Sequence, residues 1–356
     1  MKQFQVPENK GFVGREHEVK ELEEYCAKSG SKILIVYGRR RVGKTELLEQ
    51  TFRGRGLLKF EGREKQPQVK QMAFVMQQLA DYAQEPLLGR LEVKDWVEVF
   101  KEIAERTKKG RWTIYFEELQ WLAGYETEFV TALKYVWDNM FRHNPDLILI
   151  LCGSSPAFMI SSVIKSKALY NRSQYELPLK ELNLIETHEM LKEYSQIEVF
   201  DAFMTLGGIP EYLKHLNPKK SFYLNLCKES FIPGAFFASE YERIFTSSLG
   251  SNKHYREIIE FLSHKRYATR SEILKYLKLE SGGALSQELL DLEVCGFIDA
   301  YVPFHLTTGS HLTRYCITDS YMQFYFRFIK PQLKGIENGD FKSNPQEALN
   351  MTAYQQ

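Results

Sequence analysis

Ile33-Leu34-Ile35-Val36-Tyr37-Gly38-Arg39-Arg40-Arg41-Val42-Gly43-Lys44-Thr45 is an unbroken apolar run that empties into G-x-x-x-x-G-K-T, and an amphipathic segment, Glu46–Thr51, follows it. Five consecutive β-forming residues describe a strand covered on both faces. Glycines permit the bends of a loop that wraps its amides around an anion. A helix opening at the loop's end adds unpaired N–H groups and the positive end of its dipole. The loop is therefore expected to cradle a polyphosphate, with Gly38, Val42, Gly43, Lys44, Thr45 and Glu46 as binding residues. Lys44 would reach the β- and γ-phosphates and the Thr45 hydroxyl would ligate Mg2+. A ligand-free strand-to-helix turn is the plain alternative, and the flanking strand and helix count against it. The three arginines either raise the potential around a triphosphate or point to water, and at least one is expected to be solvated.

Thr113-Ile114-Tyr115-Phe116-Glu117-Glu118 is a second apolar run, ending in two acids. At this distance from a phosphate loop, Glu117 is expected to hold the metal and Glu118 to polarise the attacking water. Acids at a solvated helix N-terminus are the plain reading. The usual first acid is Asp, and Glu117 is one methylene longer. A third run, Leu147–Cys152, leads to Gly153-Ser154-Ser155, where either a hydroxyl at Ser154 bonds the γ-phosphate or the attacking water, or the segment is a plain strand-to-loop turn. Helical patterns over Gln66–Ala83, Asp95–Lys108 and Glu126–Phe141 separate the runs, so the segment from Phe12 to about Lys180 predicts a parallel sheet flanked by helices.

Beyond Pro178 the texture becomes helical, through Asn183–Tyr194, Glu198–Leu206 and Pro210–Leu216 to about Thr246. Tyr255–Ser263, Arg270–Leu277 and Ala284–Val294 then precede two β-like runs, Phe297–Pro303 and Arg314–Ile317, the order of a winged helix. The segment after Pro331 carries Gly335, Gly339 and Pro345 with weak periodicity and predicts a linker or arm. The expected division is an ATPase domain over 1–180, a helical lid over 181–249, a winged helix over 250–330 and the arm over 331–356.

Composition narrows the classes. Among 356 residues, 47 Lys and Arg nearly cancel 46 Asp and Glu, so overall charge points to neither nucleic acid nor an anionic membrane. Five scattered cysteines without C-x-x-C and no apolar stretch of membrane-spanning length predict a cytoplasmic protein. Neither H-E-x-x-H nor G-x-S-x-G occurs, which leaves zinc and covalent hydrolase chemistry without support.

On these motifs the chain resembles the archaeal-type and bacterial P-loop ATPases of the AAA+/STAND group. Phe12-Val13-Gly14-Arg15-Glu16 is similar to the F-x-G-R-E opening those ATPases place beside the adenine, and Tyr37–Thr45 resembles their loop signature. Glu117-Glu118 stands where the group has Asp-Glu, and Gly153-Ser154-Ser155 resembles its sensor-like G-S-S. Leu169-Tyr170-Asn171-Arg172 is similar to L-Y-G-R with Asn171 in place of Gly, which makes Arg172 a candidate phosphate-sensing arginine, an exposed loop arginine being the plain alternative. Gly207-Gly208-Ile209-Pro210-Glu211-Tyr212 resembles G-G-x-P-x-Y, in which the lid proline, here Pro210, packs on the adenine. By the residues alone that stretch is a helix C-cap followed by Pro at the next helix start. The resemblance implies ATP or ADP with Mg2+ as cofactors. It also implies a protein client or a C-terminal nuclease-like domain as partner, the latter announced by a segment similar to Asp319–Phe328.

The expected function is an ATP-hydrolysing switch that couples nucleotide state to the lid and winged helix. Its rivals are a nucleotide-holding scaffold, kept open by Glu117, and an ATPase that acts on DNA. For DNA, the third helix of the winged-helix region offers Ser286 and Gln287, yet Glu288, Asp291 and Glu293 would repel phosphates.

Overall fold

The apolar runs become the centre of a parallel sheet. In the computed structural model, which describes residues 3–166, 169, 175–248, 252–280, 283–304 and 312–349, the strands are β1 (Lys32–Tyr37), β2 (Gly56–Glu61), β3 (Trp112–Glu117), β4 (Ile148–Gly153) and β5 (Tyr175–Pro178). Their order is β2-β3-β4-β1-β5, with every pairing parallel. Tyr37 pairs with Gly153, and Phe116 with Leu151, so the carboxyl ends of β1, β3 and β4 lie side by side. In a sheet of this type ligands bind in the crevice beyond those ends.

Helices α1 (Glu16–Ala27), α2 (Lys44–Phe52), α3 (Gln68–Ala83) and α4 (Trp96–Arg106) are followed by Glu128–Asn139. α4 shows why such segments are helical. Its buried Trp96, Val99, Phe100 and Ile103 recur at helical spacing, and the Asp95 side chain caps the first turn by accepting from the Glu98 amide. Trp96 and Phe100 meet Phe129 with ring centroids 4.7 and 4.9 Å away. Each such ring contributes about 1.5–3 kcal/mol by leaving water.

The chain divides into two compact units. One holds Gly43–Lys180 with the chain up to Gly38; the other holds the tetrapeptide Arg39–Val42 with the chain from Glu181 onward. All four tryptophans, Trp96, Trp112, Trp121 and Trp137, belong to the first.

In the second unit, capping boxes at Asn183 and Ser195 start the helices Leu184–Met190 and Gln196–Leu206. Gly207 ends the latter and Pro210 opens Pro210–Lys214 at its first turn, as a C-cap glycine and an N1 proline do. Phe222–Phe231 and Phe236–Ser248 follow, then Lys253–Ser263, Arg270–Leu277 and Gly283–Val294. A small antiparallel sheet of β6 (Ala268–Thr269), β7 (Ile298–Tyr301) and β8 (Arg314–Ile317), in the order β6-β8-β7, completes the winged-helix element order. One apolar cluster runs through the unit and includes Leu226, Phe231, Ile258, Leu292, Phe297 and Tyr321.

The linker or arm expected after Pro331 is corrected as far as residue 349. Leu333–Asn338 is a helix and Pro345–Ala348 a single turn, with Ile336 and Leu349 at 2% and 1% exposure inside the same cluster. The Tyr223 hydroxyl donates to the Leu349 carbonyl at 3.0 Å. Weak periodicity misled because two well-placed apolar residues suffice to anchor a short segment. Ile336→Ala is expected to lose about 2–4 kcal/mol of stability, read from urea denaturation followed by far-UV circular dichroism; a loss near zero would restore the arm. Among the described residues no helix is long and apolar enough to cross a membrane.

Candidate functional site

Gly43 caps α2 in the left-handed region at φ 92°, which glycine alone adopts without strain, and as a glycine it brings no side-chain cap to the first turn. The unpaired N–H groups of a first helical turn are donors for an anion. Arg41, at φ 72°, is also left-handed. Lys44 is buried, and its ammonium curls back to donate to the Gly38 carbonyl at 2.8 Å. Glu46 lies in the first turn of α2.

The Thr45 hydroxyl donates to Glu117 Oε1 at the end of β3, the adjacency that a bridging cation requires. Threonine and carboxylate oxygens are hard donors suited to Mg2+. No group of three or more His, Cys, Asp or Glu among the described residues would enclose a metal, so a cation at Thr45 and Glu117 would take its other ligands from phosphate and water. The residues present fit Mg2+ held together with a nucleotide.

Glu118 adopts the left-handed conformation at φ 52°. For a glutamate this is a strained position, held by its surroundings. The Ser154 hydroxyl donates to its Oε2, and Gln120 Nε2 donates to the same oxygen at 2.7 Å and to Ser154 Oγ at 3.0 Å. The Ser154 amide in turn donates to Gln120 Oε1 at 3.3 Å. Gly153 admits this network: a Cβ there would stand 2.5 Å from Met159 Sδ and 3.1 Å from Gln120 Oε1.

Several neighbours were not legible as site residues. Lys59 of β2 lies 2.6 Å from Glu117 Oε2 and 2.9 Å from Glu49 Oε1. Burial pulls its ammonium down, but Glu117 and Glu49 outweigh this and raise it. Burial lifts the Tyr115 hydroxyl far above its ordinary value, with Cys152 and Glu117 adding to the effect, and pushes the Cys152 thiol up to about 12. The available signal for Lys59 was a lone cation inside the apolar run Leu57-Leu58-Lys59-Phe60.

At the N-terminal motif, Phe12, Val13 and Gly14 are partly exposed, whereas Arg15 is buried. Arg15 donates to Glu18 Oε1 at 3.0 Å and to the Lys180 carbonyl at 2.7 Å, tying the start of α1 to the chain just past β5. Arg172 lies outside the described residues.

The loop arginines divide in a way that neither reading anticipated. Arg40 is exposed, as one of them was expected to be. Arg39 and Arg41 are instead paired with carboxylates in the second unit. Arg39, at 6% exposure, bonds Asp319 and, at 3.0 Å, Glu181, and its guanidinium lies 4.9 Å from the Phe297 ring centroid. Arg41 pairs with Glu240, which also accepts from the Tyr212 hydroxyl at 3.0 Å. Burial pulls Arg39 down, yet Asp319 and Glu181 outweigh it and raise its affinity for the proton; burial raises Glu181 and Glu240 against the pull of their arginines. Val42 is buried with this tetrapeptide, and Pro210 stands in the same unit, one residue past the buried Ile209. In the third helix of the winged-helix region, Glu288 bonds Asn252 and His254 at 2.7 and 2.8 Å, and Asp291 holds Gln287 at 2.8 Å, so these polar groups are engaged inside the module.

Residues 12–216 match the family described as an ATPase domain predominantly from Archaea. The uncharacterized protein MJECL04 of Methanocaldococcus jannaschii is 27% identical over 334 residues, 93% of this chain and 71% of that protein. The Walker-type ATPase PABY2304 of Pyrococcus abyssi superposes with a TM-score of 0.63 at 20% identity, over 92% of this chain and 98% of that one. The ORC2 protein of Aeropyrum pernix, solved as ADPNP-ADP complexes, gives 0.52 at 12% identity, over 95% and 97%. The two structural likenesses are likenesses of fold.

Proposed function

The chain belongs to the family of ATPase domains found predominantly in Archaea, and on that premise we propose that it binds ATP with Mg2+ and hydrolyses it slowly as a nucleotide-driven switch. One observation carries the reading: Glu118, in a strained conformation one residue beyond the carboxylate that meets Thr45, is held by both Ser154 and Gln120. In this reading the amides at the start of α2 and the Lys44 ammonium bind and neutralise the phosphates. Thr45 and Glu117 hold the cation, which neutralises charge on the β- and γ-phosphates when bound. Glu118 orients a water in line with the γ-phosphorus and takes its proton as the new P–O bond forms and the bond to the β-phosphate oxygen breaks, releasing ADP and phosphate. Ser154 and Gln120 keep that carboxylate from turning away.

The switch part of the reading rests on the tetrapeptide Arg39–Val42. Four residues between Gly38 and Gly43 belong to the same unit as the chain from Glu181 onward, the part read as helical lid and winged helix. A change in the loop on nucleotide binding is thereby a change in that unit's own ion pairs.

Glu118→Gln is expected to lower multiple-turnover phosphate release by about 100-fold or more while ATP affinity stays within about threefold. Phosphate release and equilibrium binding check the two halves separately. Turnover equal to wild type would remove Glu118 as the base, and turnover absent from wild type would leave a nucleotide-holding module.

A further inference from the structure

Lys59 and Glu117 are brought together by sheet register. On the parallel pair β2 and β3, Lys59 stands opposite Tyr115 and Glu61 opposite Glu117. Side chains two positions apart share a face, so Lys59 and Glu117 are diagonal neighbours, whose backbones stand about 7–8 Å apart, within reach of long side chains only. The contact of 2.6 Å is made because position 117 carries Glu; an Asp would draw the carboxylate back by about one C–C bond, roughly 1.5 Å. The two oxygens then divide their work. Oε1 accepts from Thr45, on the side where a nucleotide's cation would be held, and Oε2 is anchored by Lys59. Side-chain exposures of 15% and 9% take this pair out of the class of solvated surface bridges. Glu49 braces the ammonium from α2 at 2.9 Å.

Resting on the ATPase reading above, we propose that Lys59 is a positioning residue of the magnesium-nucleotide site: by fixing one oxygen of Glu117 it presents the other to the cation, and so supports the longer acid at this place. A plain structural bridge would contribute to folding equally with or without the cation. A positioning residue contributes to the gain in nucleotide affinity that magnesium brings.

The test is calorimetric titration of the full chain with ATP, once in excess Mg2+ and once in EDTA. Lys59→Met is expected to lower affinity in Mg2+ by about 10–100-fold, the usual cost of losing a partner behind a metal ligand, and to leave affinity in EDTA within about threefold. In a Glu117→Gln background the same substitution is expected to add nothing. Equal losses in both media, no loss in either, or additive losses with Glu117→Gln would overturn the proposal. Should Lys59→Met not fold, Lys59→Gln and Lys59→Arg make the same comparison. The magnesium gain falls in the first and is retained in the second, and identical behaviour of the two overturns the assignment. Wild-type protein that binds ATP in neither medium overturns the ATPase reading and this inference together, whereas normal wild-type binding with an unaltered Lys59→Met sinks this inference alone.

Discussion

Lys44→Ala is expected to reduce ATP affinity by about 100- to 1,000-fold, or about 3–4 kcal/mol, the range measured when one partner of a buried, hydrogen-bonded charge pair is truncated. The ammonium is buried against the Gly38 carbonyl, within a loop whose amides supply partial charges only. Gly38 and Gly43 carry no side chain, Arg39 and Arg41 are engaged with Asp319, Glu181 and Glu240, and Arg40 is exposed. In the absence of nucleotide the substitution removes, among the contacts of Lys44, the charged hydrogen bond to the Gly38 carbonyl, so the folded state is expected to lose about 1.5–3 kcal/mol. Calorimetric titration alongside a thermal melt separates the two effects. Unchanged affinity in a folded variant would remove the phosphate cradle from the reading.

Asp319→Ala is expected to destabilise the second unit by about 3–5 kcal/mol. Two losses combine in it. Arg39 remains buried after losing one of its carboxylates while keeping Glu181, and the helix Ser320–Phe324 loses its cap, since Asp319 Oδ1 accepts from the Met322 amide at 2.6 Å. A buried charge that has lost one of its two carboxylates is costlier than an absent one, so the double variant Arg39→Met with Asp319→Leu is expected to recover part of the loss. Urea unfolding followed by far-UV circular dichroism measures all three proteins. Additive losses in the double variant would show that Arg39 and Asp319 are energetically independent.

What was legible in the sequence follows from how locally each feature is specified. Ile33–Tyr37 and the loop after it declare themselves, because a strand buried on both faces must be apolar throughout and an anion-binding turn needs glycines at fixed offsets. β2 escaped notice because Lys59 and Glu61 interrupt its apolar character, and β5 because four residues, Tyr175–Pro178, end in proline at the edge of the sheet. The same division holds at the site. Glu117, Glu118 and Ser154 could be named from strand ends alone, and the structure brings Ser154 to Glu118 and Thr45 to Glu117. Gln120 and Lys59 belong to no motif; their positions depend on a backbone turn and a strand register. The partners of Arg39 and Arg41 were further out of reach, since Asp319 stands 280 residues from Arg39 and charge alone does not select it from 46 acids.

The confinement of Trp96, Trp112, Trp121 and Trp137 to the first unit gives the protein an optical asymmetry. Intrinsic indole emission excited at the red edge reports on the nucleotide-binding unit and is silent about the other. Loosening of the second unit would pass unseen in that signal until a tyrosine or an added dye is watched.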